Sequence, residues 1–268
     1  MHVYNIFINY LIYNKVKVIC RIDNNLKITL LKTLIGFLLL TLVGCSTGYD
    51  NNGNAVYYKD WNEGSGQHNY KIDADPKTFK ILKFEKYAKD EKSVFYEGKR
   101  INGADAATFE AIGEFYARDK NTGYYGKDTV KNSNGKTFTV INAYYSTDGK
   151  DYFYETDPLK MADPKNFKFV YGEGDNDCWT TDGKYYYFNN YKVPSDDYAN
   201  LTIYEKGGGI SKDRNWAYFL DHKLNYDIDG KKVVDTIDVA SFKVTGFIEC
   251  RDKYGCLNVY HGREKCKE

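Results

Sequence analysis

Length and charge limit the classes of function that are open to this chain. Its 268 residues suffice for one large domain or two ordinary ones, and 38 Lys and Arg nearly balance 37 Asp and Glu. Beyond residue 44 there are 33 basic and 36 acidic residues, a net charge of −3. A nucleic-acid-binding protein needs a clustered basic face, so that class is excluded. The 27 Tyr and 23 Gly, against two Met and four Pro, favour strands over helices.

Residues 33–45 have the pattern of a bacterial export signal. The run TLIGFLLLTLVGC follows Lys27 and Lys32, and its apolar part is too short to span a bilayer. It ends in Leu-Val-Gly-Cys, which resembles the lipobox of bacterial lipoproteins. The resemblance implies that residues 26–44 are a cleaved signal and that Cys45 is the lipidated first residue of the mature protein. An uncleaved anchor is the alternative interpretation.

The first 25 residues fit poorly in front of such a signal, because an ordinary one begins a few residues before Lys32. One hypothesis is that translation starts near Leu26, Leu30 or Leu31 and that residues 1–25 are not translated. A long N-terminal region is the other. Residues 45–54 then form the lipidated Cys and a short polar linker. Ser46 in place of Asp favours the outer membrane in a Gram-negative cell.

The remaining residues, 55–268, repeat with a period of about 30 residues. The stretch Tyr87–Tyr116 ends by restarting, since YAKD at 87–90 returns as YARD at 116–119. An Asp turn marks each copy, and the successive gaps are 29, 29, 34, 31 and 39 residues. These turn aspartates are Asp90, Asp119, Asp148, Asp182, Asp213 and Asp252.

A second marker is an Asp four residues before a Phe. The pairs are Asp75/Phe79, Asp105/Phe109, Asp163/Phe167 and Asp238/Phe242; Phe138 keeps the spacing without the Asp, and Tyr198 is the expected counterpart in the remaining copy. Where the pair includes Asp-Pro, we predict one helical turn, at Asp75–Phe79 and at Asp163–Phe167. The Phe residues are predicted to plug the core of each copy.

Three stretches resemble a known family: KDEKSVFYEGK at 89–99, GADAATF at 103–109 and RDKNTGYY at 118–125. They are similar to the DKNYY family, bacterial proteins named for a repeated Asp-Lys-Asn-x-x-Tyr-Tyr phrase. The resemblance covers about residues 55–265 and weakens after residue 190. It implies a shared fold and an envelope location, and it carries no activity or catalytic residues.

Strands are expected on both sides of each turn aspartate. The first set is 80–89, 110–118, 139–147, 168–172, 203–205 and 243–249, and the return set is 94–96, 123–125, 152–154, 185–188, 217–220 and 257–260. We therefore predict a mainly β fold. It is a single meander or solenoid-like array of six or seven tandem β-hairpin repeats with short helical turns.

Tyr doublets recur in the return strands. Neighbouring strand residues point to opposite faces, so each doublet should bury one ring and expose the other. The outward rings are predicted to be Tyr96, Tyr125, Tyr154 and Tyr187, or their neighbours. Such a stripe could stack on sugar rings or peptides; the alternative is that Tyr is simply a good strand former.

Four cysteines follow Cys45: Cys178, Cys250, Cys256 and Cys266. In an exported protein an even number predicts two disulfides, with three possible pairings. Cys250 and Cys256 flank one turn, which is compatible with a bond across the hairpin; Cys178 then meets Cys266. A zinc site from Cys250, Cys256, His261 and Cys266 is the alternative, although it lacks the usual Cys-x-x-Cys.

No site for a cofactor or for catalysis stands out. The segment NYDIDG at 225–230 imitates the start of a calcium loop, with Asp227 and Asp229 as weak candidate ligands, but its twelfth position is Thr236 rather than Glu. The histidines show no metalloprotease or triad spacing, and nearly all carboxylates are interpreted as surface charges. We therefore predict no cofactor and no enzymatic activity.

These observations predict a lipid-anchored lipoprotein of the cell envelope. Its mature part is interpreted as a non-catalytic structural or binding module that recognises a protein or a glycan, including an immunity-like role against a toxin. The alternatives are an enzyme acting on envelope glycans and a metal-stabilised adhesin. The predicted partners are the membrane, which the protein contacts through its lipid anchor, and the protein or glycan ligand. Nucleic acid is excluded as a partner.

Overall fold

The computed structural model describes residues 47–225, 230–232, 234 and 236–266, and these are built almost entirely from short antiparallel strands. Within them, 27 strands form seven sheets, and each sheet is an open meander in which the strands lie in chain order. The helical elements are two 3-10 turns, Pro164–Asn166 and Tyr198–Asn200. The prediction of a mainly β chain of tandem repeats is therefore confirmed.

We number the sheets along the chain. Sheet 1 contains β1 (Gly48–Asn51), β2 (Val56–Asn62) and β3 (Gly66–Ile72). Sheet 2 contains β4 (Lys80–Ile81), β5 (Tyr87–Lys89), β6 (Val94–Tyr96) and β7 (Lys99–Arg100). Sheet 3 contains β8 (Glu110–Ala111), β9 (Tyr116–Arg118), β10 (Gly123–Tyr125) and β11 (Asp128–Thr129). Sheet 4 contains β12 (Thr139–Val140), β13 (Tyr145–Thr147), β14 (Tyr152–Tyr154) and β15 (Asp157–Pro158).

The last three sheets have the same four-stranded plan. Sheet 5 contains β16 (Lys168–Tyr171), β17 (Trp179–Thr181), β18 (Tyr186–Phe188) and β19 (Tyr191–Lys192). Sheet 6 contains β20 (Thr202–Ile203), β21 (Ile210–Lys212), β22 (Ala217–Phe219) and β23 (His222–Lys223). Sheet 7 contains β24 (Lys243–Gly246), β25 (Glu249–Asp252), β26 (Gly255–Asn258) and β27 (Gly262–Glu264).

Each repeat holds four strands where two were predicted. The predicted strand at 80–89 is split by a turn, in which Tyr87 N–H donates to the Phe84 carbonyl (2.8 Å). After β6, Glu97 and Gly98 both have positive φ, 47° and 75°. That is the geometry of a two-residue hairpin loop, and it pairs Tyr96 with Lys99. The added strands are only two to four residues long, too short for an alternating pattern to reveal.

Every four-stranded sheet is built on one cross-strand pair of a small and a large residue. The small residue lies two positions before the turn aspartate and the large residue five after it, and all are buried. The pairs are Ala88/Phe95, Ala117/Tyr124, Ser146/Phe153, Thr180/Tyr187, Ser211/Tyr218 and Cys250/Leu257. A small residue opposite a large ring lets successive layers fill the interior without voids.

The aromatic plugs fit the prediction with one correction. Phe109, Phe138 and Phe242 are buried, and Phe79 and Phe167 are partly buried. In sheet 6 the plug is not Tyr198, because the 3-10 turn at 198–200 ends at Leu201 as the turn at 164–166 ends at Phe167. Asp197 and Leu201 thus keep the four-residue spacing with a Leu in place of the aromatic ring.

Basic side chains join one sheet to the next. Lys89 Nζ donates to the carbonyls of Ala106 (2.6 Å) and Phe109 (3.0 Å) in the turn that precedes sheet 3. Arg118 donates in the same way to Phe138 (3.0 Å), and Lys212 to Phe242 (3.2 Å). The cation one residue before the turn aspartate therefore donates hydrogen bonds to carbonyl groups at the end of the short turn that carries the next plug residue.

The described residues divide into two compact units. One contains the tip of the β2–β3 hairpin, Lys59–Asn69, in which Gly64 N–H donates to Asn62 Oδ1 (2.8 Å) and Trp61 is exposed. The other contains Gly48–Tyr58 and the chain from Tyr70 onward, with sheets 2–7. In the part of the chain that the structure describes, no helix has the length and apolar character that crossing a membrane requires.

Candidate functional site

The turn aspartates are buried and saturated with hydrogen bonds. Asp119 Oδ1 accepts from the N–H groups of Asn121 (2.7 Å) and Thr122 (3.0 Å). Its Oδ2 accepts from Asp105 N–H and from the Tyr124 hydroxyl, both at 2.8 Å. The prediction that Asp accepts backbone hydrogen bonds at these turns is confirmed. The interpretation of carboxylates as solvated surface charges is wrong for the six turn aspartates, because all of them are buried: Asp90, Asp119, Asp148, Asp182, Asp213 and Asp252.

These contacts determine the ionisation of the turn aspartates. Burial acts to raise each pKa, but the hydrogen bonds from backbone and side chains outweigh it. The pKa values of Asp119, Asp148, Asp182, Asp213 and Asp252 consequently lie below the ordinary value. An ionised carboxylate held by three or four donors is a structural acceptor, with little capacity left for proton transfer or metal binding.

The predicted tyrosine stripe exists in sheets 2–4 and stops there. Tyr96, Tyr125 and Tyr154 are half-buried at the position six residues after the turn aspartate. Tyr187 is fully buried, because it lies five residues after Asp182 and faces the interior opposite Thr180. The prediction for Tyr187 was therefore wrong by one residue, and a one-residue shift exchanges the two faces of a strand. Phe188, which holds the stripe position in sheet 5, is also buried.

The stripe also contributes to packing between sheets. The Tyr125 hydroxyl donates to Glu155 Oε1 (3.4 Å), and the Tyr154 hydroxyl donates to the Asn176 carbonyl (3.3 Å), each in the following repeat. Tyr96 stacks obliquely on Tyr87 with ring centroids 4.8 Å apart, and burial raises its pKa to about 12. These rings are therefore partly engaged in contacts within the protein, which leaves less of their surface available to a ligand.

A different set of aromatic rings is more exposed. We call it the cation–aromatic row: Tyr185, Trp216 and Tyr254, each two or three residues after its turn aspartate in sheets 5, 6 and 7. Trp216 is 43% exposed and Tyr254 is 55% exposed. A lysine Nζ lies over each ring, with Lys192 at 3.3 Å from the Tyr185 centroid, Lys223 at 3.5 Å from Trp216 and Lys253 at 5.0 Å from Tyr254. Such cation–π contacts orient the rings.

A cavity of about 770 Å³ lies between the turns of sheets 5, 6 and 7. Asp175, Asp177 and Glu205 line it together with Lys206 and the exposed ring of Phe247. All three carboxylates are exposed to solvent. The cleft is therefore acidic and open, and its carboxylates are not desolvated as a general acid usually is.

A family model adds to this geometry. The model of the DKNYY family matches residues 4–128. This match supports membership of the DKNYY family. It includes sheets 2 and 3, where the sequence resemblance is clearest, and ends within β11. The same strand plan continues through sheets 4–7, up to Glu264. No curated protein and no solved structure matches the chain.

The cysteines of this DKNYY protein pair differently from the prediction. Cys256 forms a disulfide with Cys266, while Cys178 and Cys250 are buried free thiols. A Cys250–Cys256 bond is excluded by register, because Cys250 lies opposite Leu257 on the inner face and Cys256 lies opposite Arg251 on the other. Burial raises the pKa of Cys178 to about 11 and that of Cys250 to about 12, so both thiols are unreactive.

The zinc alternative loses Cys256 and Cys266 to this disulfide, and no group of metal-binding side chains occurs among the residues described. The candidate ligands Asp227 and Asp229 lie outside the described residues. Cys45 and the predicted signal lie outside them as well. The cation–aromatic row was not predicted, because Trp216 and Tyr254 are not in doublets and its three members are not equally spaced from the plugs. The available signal was an aromatic directly after an Asp turn with a Lys nearby in sequence.

Proposed function

We propose that this DKNYY-family protein is a non-catalytic binding module of the cell envelope, held to the membrane through lipidated Cys45, and that it recognises a glycan through the cation–aromatic row. The observation that carries the proposal is the exposure of Trp216 and Tyr254 at equivalent turns of successive sheets. Groups of large aromatic side chains that are exposed to solvent mark binding surfaces, because they are not needed to fill the core.

Internal comparison supports a binding role, since the fold does not require rings at these turns. The corresponding positions of sheets 2–4 are Ser93, Thr122 and Asp151, and those sheets have the same four strands. Repetition at neighbouring turns suits an extended ligand with repeated flat units. A glycan has that character, because the apolar face of a sugar ring packs on an aromatic ring while its hydroxyls bond to nearby polar groups.

The non-catalytic part of the proposal is supported by how the carboxylates are used. The buried ones are acceptors for turn N–H groups, and those of the large cleft are exposed. The anchor is supported by the sequence alone, through the Leu-Val-Gly-Cys end of the apolar run. Mass spectrometry of protein from native membranes tests it. A diacylated chain starting at Cys45 is expected, and an unmodified chain starting at Met1 would refute the anchor.

The binding experiment compares two matched variants of the full mature protein. Trp216→Ala with Tyr254→Ala removes two rings of the row, and Trp61→Ala removes an equally exposed ring from the other unit. We expect the double variant to weaken binding to an oligosaccharide panel by about tenfold or more, which corresponds to roughly 1.4 kcal/mol, and Trp61→Ala to leave it unchanged. Equal binding by all three proteins would contradict a glycan site at the row.

A further inference from the structure

A second cavity lies beside the cation–aromatic row. Its volume is about 510 Å³, and it is enclosed by the ends of sheets 3, 4 and 5. The lining residues are Lys131, Asn132, Asp157, Pro158, Leu159, Lys160, Asn190 and Lys192. Leu159 is buried at its base. Polar side chains and apolar stems thus surround a space of the size that holds a single sugar or a small anion.

The charge of this pocket is one-sided. Lys131 Nζ pairs with Asp157 Oδ1 at 2.5 Å, which leaves Lys160 and Lys192 without a carboxylate partner among the described residues. Three ammonium groups and one carboxylate give the lining a net charge of +2. The chain beyond residue 44 is slightly acidic overall, so this positive potential is local to the pocket. Cavities lined by one sign of charge attract the opposite ion.

Two residues of the pocket wall are held in the left-handed region. Asn132 has φ 62° and Lys160 has φ 50°, a conformation that residues other than glycine rarely adopt. Sheet 2 has a glycine, Gly103, where sheet 3 has Asn132. Lys160 and Asn132 thus occupy positions where glycine would be less strained, and strain of this kind clusters at binding and catalytic sites.

Lys192 connects the pocket to the row. It lines the cavity, and its Nζ also lies 3.3 Å above the Tyr185 ring. A hydrogen bond from Lys184 lowers the pKa of Tyr185, so a second cation is present at this ring. The cationic pocket and the first aromatic ring of the row are therefore one continuous surface, which presents a site for negative charge next to a platform for a ring.

We infer that this pocket binds the anionic group of an acidic saccharide, a carboxylate or a phosphate, whose neighbouring sugar rings extend along Tyr185 and Trp216. The inference rests on the proposed glycan-binding function and adds the chemical class of the ligand. A nucleic acid is less suited, because the free cations are concentrated at one pocket instead of following a long track. The two sources of negative charge need separate tests.

The experiment uses ligands that differ only in charge. Hexagalacturonate and its methyl ester have the same rings, and glucose 6-phosphate compared with glucose provides the phosphate arm. We expect the acid to bind at least tenfold more tightly than the ester, with an affinity that falls as salt is added. Glucose 6-phosphate binding with no preference for hexagalacturonate over its ester assigns the pocket to phosphate; preference for the acid alone assigns it to carboxylate.

Matched lysine variants locate the effect. Lys160→Gln with Lys192→Gln should remove the preference for the charged ligand. Lys150→Gln with Lys165→Gln removes the same charge from a different depression, near Asp163, and should leave the preference intact. All four lysines are exposed, so all variants should fold, which equal melting temperatures would verify.

The failures of the two proposals are distinguishable. If acid and ester bind equally and glucose 6-phosphate binds no more tightly than glucose, while Trp216→Ala/Tyr254→Ala weakens saccharide binding, the pocket inference is overturned and the proposed function stands. If no saccharide binds, or if the ring variants have no effect, the proposed function is overturned and the inference with it. Tighter binding of a thymidine dodecanucleotide than of hexagalacturonate would overturn the saccharide assignment.

Discussion

Sheets 2–4 and sheets 5–7 have the same strand plan and differ in how their interiors are filled. Three residues before the turn aspartate, sheets 2–4 have Tyr87, Tyr116 and Tyr145, each opposite a second Tyr on the neighbouring strand. At the same place sheet 5 pairs Trp179 with Phe188, and sheet 6 pairs Ile210 with Phe219. Apolar pairs thus stand in place of the tyrosine pairs in sheets 5 and 6, whereas sheet 7 has Glu249 opposite Asn258.

The replacement changes the organisation of the core. In the first half the buried residues form separate clusters, one between each sheet and the next, such as Tyr116, Phe138 and Phe153 between sheets 3 and 4. In the second half one cluster extends from Trp179 to Val259. Without hydroxyl groups to satisfy, the apolar rings can be fully buried and join into one core. In sheets 2–4 one tyrosine of each pair is fully buried and its partner, Tyr96, Tyr125 or Tyr154, is half-buried. Hydrogen bonds connect these sheets as well.

Removing a turn aspartate should have the largest effect, and in both halves. Asp119→Ala leaves three backbone N–H groups and the buried Tyr124 hydroxyl without their acceptor, and Asp213→Ala leaves two N–H groups and the hydroxyls of Ser195 and Tyr218. We expect each to lower the free energy of unfolding by about 3–5 kcal/mol, measured by urea denaturation. Hydrogen exchange should then spread across all of sheets 5–7 for Asp213→Ala and stay near sheet 3 for Asp119→Ala. Identical exchange patterns would show that the halves do not differ in cooperativity.

Acid should destabilise both halves through the same carboxylates. The pKa values of Asp119, Asp148, Asp182, Asp213 and Asp252 are lower in the folded state than the unfolded value of about 3.9. Their stabilising contribution is therefore complete above about pH 5 and is lost as the pH falls below 4 through the folded values. Urea midpoints measured from pH 7 to pH 2 test this, and a midpoint that stays constant below pH 4 would contradict it.

The disulfide should matter only at the end of the second half. Cys256 and Cys266 close a loop ten residues apart, and Cys256→Ser with Cys266→Ser should cost about 2–3 kcal/mol, seen as faster exchange confined to sheet 7. Reduction should add two mass units, since Cys178 and Cys250 are already thiols. A gain of four would restore the two-disulfide prediction.

A single hydroxyl should distinguish two equivalent tyrosines. The Tyr87 hydroxyl donates to the Phe115 carbonyl at 2.6 Å and lies 3.2 Å from the Gly126 carbonyl, whereas the Tyr145 hydroxyl is buried without a hydrogen-bond partner among the described residues. Tyr87→Phe should cost about 1 kcal/mol, and Tyr145→Phe should be neutral or slightly stabilising. Equal losses in thermal denaturation would refute the assignment of the linking bond to Tyr87.

The smallest effect is expected at the hairpin loop of sheet 2. Glu97 has φ 47° before Gly98, and Asn is tolerated better in this conformation. Glu97→Asn should raise stability by about 0.5 kcal/mol; the surface ion pair with Lys86 that it removes contributes little. The matched change Gly98→Ala should be strongly destabilising, because a Cβ there would lie 2.6 Å from Tyr58 Cβ. A loss of stability in Glu97→Asn would show that Lys86 matters more than the backbone.

The repeat was predictable from sequence because the same residues perform the same local task in every copy. An Asp that accepts from the two N–H groups following it, and a Phe after a short turn, leave fixed spacings. The inward or outward position of Tyr187 was not predictable, because adjacent Tyr and Phe residues look alike on both faces. The disulfide was not predictable either, since proximity in sequence says nothing about which face Cys250 and Cys256 occupy.

The cation–aromatic row and the cationic pocket escaped prediction for a related reason. Lys131, Lys160 and Lys192 belong to three different repeats, and Lys192 breaks the spacing, because it lies ten residues after its turn aspartate whereas Lys131 and Lys160 lie twelve after theirs. The three lysines lie together only because the ends of sheets 3, 4 and 5 lie close to one another. A comparison of the repeats does not detect residues that depart from the repeat. Such residues distinguish one region of the array from another.

The bonding of the turn aspartates also bears on how such a chain can change in evolution. In all six repeats the Oδ2 acceptor is used by the segment just before its own sheet, for example Asp75 N–H to Asp90 (2.9 Å) and Asp238 N–H to Asp252 (2.8 Å). A whole repeat can therefore be duplicated or deleted in frame without leaving any buried carboxylate unmatched. The number of repeats is thus free to drift between descendants, while the sequence around each Asp is not.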